Sequence, residues 1–144
     1  MGLDTSHNAW HGAYSAFMRW RRGVAKAAGL PPLDLMEGFY IPTTESRTNP
    51  TFFVGGKGMD DWRIKMLEES LPISWGILKP DPLHELLCHS DCDGQIAPEN
   101  CGPIADSLER LIPKMPTPDM KDVTKAFVDG LRLAAQKGEP LAFR

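Results

Sequence analysis

The chain has 144 residues, 42% of them hydrophobic, and a formal charge of -3 at pH 7. That length fits one globular domain spanning residues 1–144, and the apolar share is enough for a packed core rather than a disordered chain. Mild acidity disfavours nucleic acid as a partner, and no apolar run is long enough to span a membrane. Met1-Gly2-Leu3-Asp4 lacks the basic start and apolar stretch of a secretion signal, so a cytoplasmic location is expected. Three cysteines, Cys88, Cys92 and Cys101, are an odd number for a disulfide framework and fit reduced thiols.

Prolines and glycines, 13 of each, divide the chain into helices and irregular connections, which predicts an α+β fold. It is mostly helical, with about four to five helices, a small β component and long loops. Three- and four-residue spacing of Ala9, Ala13, Ala16, Trp20, Val24 and Ala27 predicts a first helix from about Asn8 to Ala28. Trp10, Tyr14 and Phe17 widen its apolar face, and Gly29 and Pro31-Pro32 end it. Residues 30–59 read as a long excursion, with a short strand at Thr51-Phe52-Phe53-Val54 ended by Gly55-Gly56-Lys57-Gly58. A second helix is expected from Asp60 or Asp61 to near Leu71, then a short strand from Ile73 to Leu78. Asp81-Pro82 looks like a helix start, and Leu83, Leu86 and Leu87 carry helical spacing onward. Ile104, Leu108, Leu111 and Ile112 define the next helix, with Pro103 expected in its first turn because it would disrupt a helix already running from Pro98. The last helix is capped by Thr117, opened by Pro118 and closed by Gly138. Leu141-Ala142-Phe143 is expected to add a terminal strand.

The stretch His89-Ser90-Asp91-Cys92-Asp93-Gly94 is the first candidate site. Two acids one residue apart, followed by Gly, form a tight turn whose oxygens can converge on a hard cation such as calcium. The stretch resembles a degenerate EF-hand loop, with His89, Asp91, Asp93 and Gln95 at ligand positions. Its first position holds His89 instead of an acid, and its last falls on Asn100 instead of a bidentate Glu, so a role for Asp91 and Asp93 in capping a turn outweighs calcium. Zinc is the second divalent candidate, since Cys88, Cys92 and Cys101 with His84 or His89 supply enough nitrogen and sulfur, although in unusual spacing. His89, Asp91 and Asp93 are therefore the metal-site candidates.

His7 and His11, four residues apart, could share a helical face. Packed against the acidic loop, they would give a mixed His/Asp site able to activate water for a metal-dependent hydrolase. Arg19, Arg22 and Lys26 form a basic stripe to which Arg21 adds a cation; it could hold phosphate beside a stacking Tyr14 or Trp20. His7, His11, Tyr14, Arg19 and Arg22 are accordingly the ligand-binding candidates. A solvated face is the simpler account of the stripe. Neither a nucleotide-triphosphatase phosphate loop nor a Gly-x-Ser-x-Gly elbow is present.

Met1-Gly2-Leu3-Asp4-Thr5-Ser6-His7, the run Gly12-Ala13-Tyr14-Ser15-Ala16-Phe17 and His89-Ser90-Asp91-Cys92-Asp93-Gly94 together resemble a family of short phage and bacterial proteins to which no activity is assigned. The resemblance covers most of the chain and implies a phage accessory role, such as countering a host defence. Three functions remain open from sequence. The leading one is a binding protein for a small polar or phosphate-bearing ligand; the others are the metal-dependent hydrolase and an inhibitor that contacts a host protein through residues 30–59.

Overall fold

A computed structural model describes residues 2–39, 72–90 and 93–144. The strand expected at 51–54, the glycine turn at 55–58, the helix expected to end near Leu71, and Asp91 and Cys92 lie outside the described residues. Among the described residues the fold is α+β and mostly helical. The helices are α1 (Tyr14–Ala27), α2 (Leu83–Cys88), α3 (Pro98–Leu111) and α4 (Pro118–Lys137). The strands are β1 (Gly2–Asp4), β2 (His11–Ala13), β3 (Gln95–Ile96) and β4 (Leu141–Ala142), paired antiparallel as β1–β2 and β3–β4. No helix among the described residues is long and apolar enough to cross a membrane.

The chain enters as a hairpin rather than as the start of a helix. The helix expected from Asn8 begins at Tyr14, and His11–Ala13 pairs instead with Gly2–Asp4, Leu3 facing Gly12. Asn, His and Gly between positions 8 and 12 are weak helix formers, and β1 offers backbone partners that no local pattern reveals. Between the strands, Thr5 accepts at Oγ1 from Trp10 N–H at 2.8 Å, while His7 (φ 60°) and Asn8 (φ 55°) adopt left-handed backbone.

Helix α1 buries Phe17, Trp20, Arg21, Val24 and Ala25. Phe17, Trp20 and Val24 are buried as the spacing predicts, but the face also takes in Arg21 and Ala25, while Ala13 is exposed and Ala16 and Ala27 are only partly buried. Trp20 anchors it to α4: its indole Nε1–H donates to Thr124 Oγ1 at 2.9 Å, and that hydroxyl donates to Met120 O at 2.7 Å. Phe17, Trp20 and Phe127 cluster with centroids 4.7–6.3 Å apart, an arrangement that contributes beyond burial alone.

Residues 73–78 do not form the expected strand. Ile73 makes a single parallel bridge with Met36, and Trp75–Leu78 form a 3-10 turn capped by Ser74 Oγ, which accepts from Gly76 N–H at 3.2 Å. Helix α3 starts at Pro98, ahead of the expected start, with Pro103 inside it. Pro103 costs the helix one hydrogen bond to the carbonyl of residue 99; both Glu99 and Pro103 are exposed, so water can take that carbonyl. Helix α4 follows the sequence reading closely: Thr117 Oγ1 accepts from Met120 N–H at 3.1 Å, Pro118 is first, and Gly138 (φ 65°) closes it in the left-handed conformation.

The last residues join both ends of the molecule. Ile96 pairs with Leu141, Phe143 N–H donates to Gly94 O at 2.9 Å, Thr5 bridges Phe143, and Asp4 and Arg144 exchange two backbone hydrogen bonds. The C-terminal strand therefore lies between the N-terminal hairpin and the segment that follows the acidic turn.

Candidate functional site

Arg21 is the side chain that joins α1 to the acidic turn. It is 1% exposed. Its Nη1 donates to Leu86 O (3.3 Å), Leu87 O (3.2 Å) and His89 O (2.6 Å), and Nη2 to Met18 Sδ (2.7 Å). The guanidinium carbon lies 4.7 Å from the Phe17 ring centroid. The carbonyls at the end of α2 lack partners within the helix and carry the negative end of its dipole, so a planar cation with several N–H groups is well matched to them. Arg21 therefore belongs to the interior rather than to the expected surface stripe. The remaining members differ among themselves: Arg22 pairs with Asp34 Oδ1 through Nε (3.2 Å) and Nη2 (3.0 Å), whereas Arg19 and Lys26 are exposed.

Beyond His89 the turn is held by its own side chain. The imidazole stacks on Phe143 with centroids 4.1 Å apart. Nδ1 lies 2.8 Å from Ser90 O and Nε2 3.2 Å from Gln95 O. Carbonyl oxygens only accept, so the two contacts are hydrogen bonds together only when both ring nitrogens carry a proton. On the calcium-loop frame His89 and Gln95 are both ligand positions, and here they bond to each other. Gly94 (φ 90°) turns the chain where that frame requires glycine, and Asp93 is exposed. Asp91 lies outside the described residues.

Among the described residues the other metal candidates do not gather into one site. Cys101 is fully buried, with Sγ 3.8 Å from Ile96 O, and burial pushes its thiol above the ordinary value. Cys88 is exposed, 4.0 Å from His84 Nε2; partial burial is the main cause of its raised pKa, with Glu85 adding to it. Among the described residues no three His, Cys, Asp or Glu side chains form a group that could hold a metal ion.

His7 and His11 do not share a helical face. His11 lies in β2, with its side chain 88% exposed and Nδ1 3.2 Å from Asp4 Oδ1. His7 lies in the left-handed turn, with its side chain only 8% exposed. Its Nδ1 is 2.8 Å from Ser6 Oγ and its Nε2 3.0 Å from Glu139 Oε2. Ser6 Oγ also accepts from Ala142 N–H at 2.8 Å. Tyr14, at the start of α1, is partly buried and packs on the core. The five residues expected to share one ligand are thus engaged with different partners or exposed.

A polar cleft that sequence reading did not anticipate lies between α2 and α3. It has a volume of about 180 Å³ and is lined by Lys79, Asp81, His84, Glu85 and Asn100, with Pro82, Pro103 and Ile104 as its apolar part. Asp81 Oδ1 caps α2 by accepting from Leu83 N–H at 2.9 Å. Trp75 stands beside His84, ring centroids 6.2 Å apart, and holds its own position by donating to Glu37 O at 2.9 Å. The Asp81-Pro82 start was the only local signal here, since it fixes the phase that turns His84 and Glu85 toward α3.

No family model matches this chain, and no curated protein or solved structure is significantly similar to it.

Proposed function

We propose that this is a cytoplasmic binding protein for a small polar ligand, and that the ligand sits in the cleft between α2 and α3. The observation that carries this reading is the lining itself. Lys79, Asp81, Glu85, His84 and Asn100 line one half-open cleft of about 180 Å³, room for several water molecules. A small ligand displaces such water at a gain only if its polar groups replace the lost hydrogen bonds. Both signs of charge are present, which suits a zwitterion the size of an amino acid. A lining with one lysine against two carboxylates is a poor match for a doubly charged phosphate, so the phosphate-bearing part of the sequence expectation is the weaker part.

Isothermal titration against amino acids, short polyamines and inorganic phosphate tests the assignment. An amino acid is expected to bind, with affinity reduced at least tenfold in His84→Ala and Glu85→Gln while both variants keep the wild-type melting temperature. Phosphate binding that survives Glu85→Gln, or binding indifferent to both substitutions, would place the ligand elsewhere.

A further inference from the structure

We propose that Ser6, His7 and Glu139 form a nucleophile–base–carboxylate relay that accepts an acyl group from a small ester. Three features meet at the N-terminal turn. The first is the direction of the hydrogen bonds. Glu139 Oε2, 3.0 Å from His7 Nε2, is an acceptor and therefore places the imidazole proton on Nε2. Nδ1 is left as the acceptor for the Ser6 hydroxyl at 2.8 Å. A hydroxyl, a base that can take its proton, and a third group that fixes the tautomer of that base are the parts of an activated nucleophile.

The second feature is the backbone. Side chains of successive residues ordinarily diverge. His7 (φ 60°, ψ 20°) and Asn8 (φ 55°) turn left-handed, and that turn brings the imidazole back onto Ser6. Residues other than glycine hold such a conformation only where the surroundings impose it. Here they do: Thr5 Oγ1 closes the turn on Trp10 N–H, and Ala142 N–H holds Ser6 Oγ. The third feature is burial. The His7 side chain is 8% exposed whereas that of Glu139 is 54% exposed. The base is thus sheltered, its orienting carboxylate remains wet, and Ser6 is partly open to solvent.

The chemistry balances with water as the only co-reactant. Ser6 Oγ forms a bond to the ester carbonyl carbon as its proton passes to His7 Nδ1, and Glu139 stabilises the resulting imidazolium. Ala142 N–H, already donating to Oγ, favours the hydroxyl oxygen as it gains negative charge. The carbonyl π electrons move onto oxygen and then return, the bond to the alcohol oxygen breaks, and the alcohol leaves with the Nδ1 proton. A water molecule repeats the sequence on the acyl-serine, releasing the carboxylic acid and restoring Ser6.

The test is incubation with p-nitrophenyl acetate, reading nitrophenol release together with peptide mapping of the acetyl group. Acetylation is expected at Ser6. His7→Gln should slow it by about 10²–10⁴, and Glu139→Gln should slow it less. Because Ser6→Ala also removes the acceptor for Ala142 N–H, Ser6→Cys serves as a second variant, and its new thiol should be alkylated by iodoacetamide faster than Cys88. Acetylation confined to lysines, a rate at Ser6 unchanged in folded His7→Gln, or a thiol in Ser6→Cys that reacts no faster than Cys88 would each overturn the relay.

Discussion

A single arginine determines how the acidic turn meets the rest of the molecule. Nη1 of Arg21 reaches three carbonyls between Leu86 and His89, and the side chain is 1% exposed. A buried acceptor that loses its donor costs about 1–3 kcal/mol, whereas the net gain of an exposed pair is far smaller. Arg21→Met keeps most of the apolar stem and removes the N–H groups. It should lower stability by about 2–3 kcal/mol in urea unfolding, while Arg22→Met, which loses only the exposed pair with Asp34, should change it by less than about 1 kcal/mol. Equal effects of the two substitutions would mean that water serves those carbonyls as well as Arg21 does. Sequence spacing placed Arg21 with Arg19, Arg22 and Lys26 because all four are cations on one helix. Its carbonyl partners lie 65–68 residues away, beyond the reach of any local pattern.

Among the elements, α4 is the one whose ends were legible residue by residue, because Thr117, Pro118 and Gly138 act on their own neighbours. The N-terminal hairpin was not legible, since β2 exists by virtue of β1, and its residues carry a helical spacing that the fold does not use. Pro103 shows the converse: a local helix breaker is tolerated where the carbonyl it strands can face water. Gly130 shows how an element interior depends on a distant segment. Gly in a helix is normally about 1 kcal/mol worse than Ala, so Gly130→Ala should stabilise α4 if only propensity mattered. A Cβ there would lie 2.7 Å from Ala9 Cα and 3.0 Å from Ala9 N, and Ala9 is buried. Gly130→Ala should therefore destabilise by about 1–3 kcal/mol and disturb the Ser6–His7 turn directly before Ala9. A rise in melting temperature would show that the turn can move off α4 without penalty. The candidate relay was invisible for the same reason: Ser6 and His7 are adjacent, but Glu139 is 132 residues from His7.

At the scale of the whole molecule, β4 and the residues after it couple the N-terminal hairpin to the segment after the acidic turn. Two-stranded pairings are marginal in water on their own. Here β3 has only two residues, and the N-terminal strand three. Phe143 adds to both: it is 4% exposed, meets Phe17 edge-on at 5.9 Å and stacks on His89 at 4.1 Å. Its backbone bridges Thr5 on one side and bonds Gly94 on the other. Truncating a buried phenylalanine costs about 3–5 kcal/mol, and the loss should be shared. In Phe143→Ala, amide hydrogen exchange at Asp4, which donates to Arg144 O, at Arg144, which donates to Asp4 O, and at position 143, which donates to Gly94 O, should accelerate together and to a similar extent, because the terminal segment takes part in all three bonds. His89 should lose its stacking partner, which loosens the turn containing Asp93. The distribution of the effect matters more than its size. If the amide at position 143 kept its protection while that of Asp4 lost it, the hairpin and the segment after the acidic turn would be independent units. The terminal strand would then be an ornament on one of them rather than the element through which the N-terminal turn and the acidic turn reinforce each other.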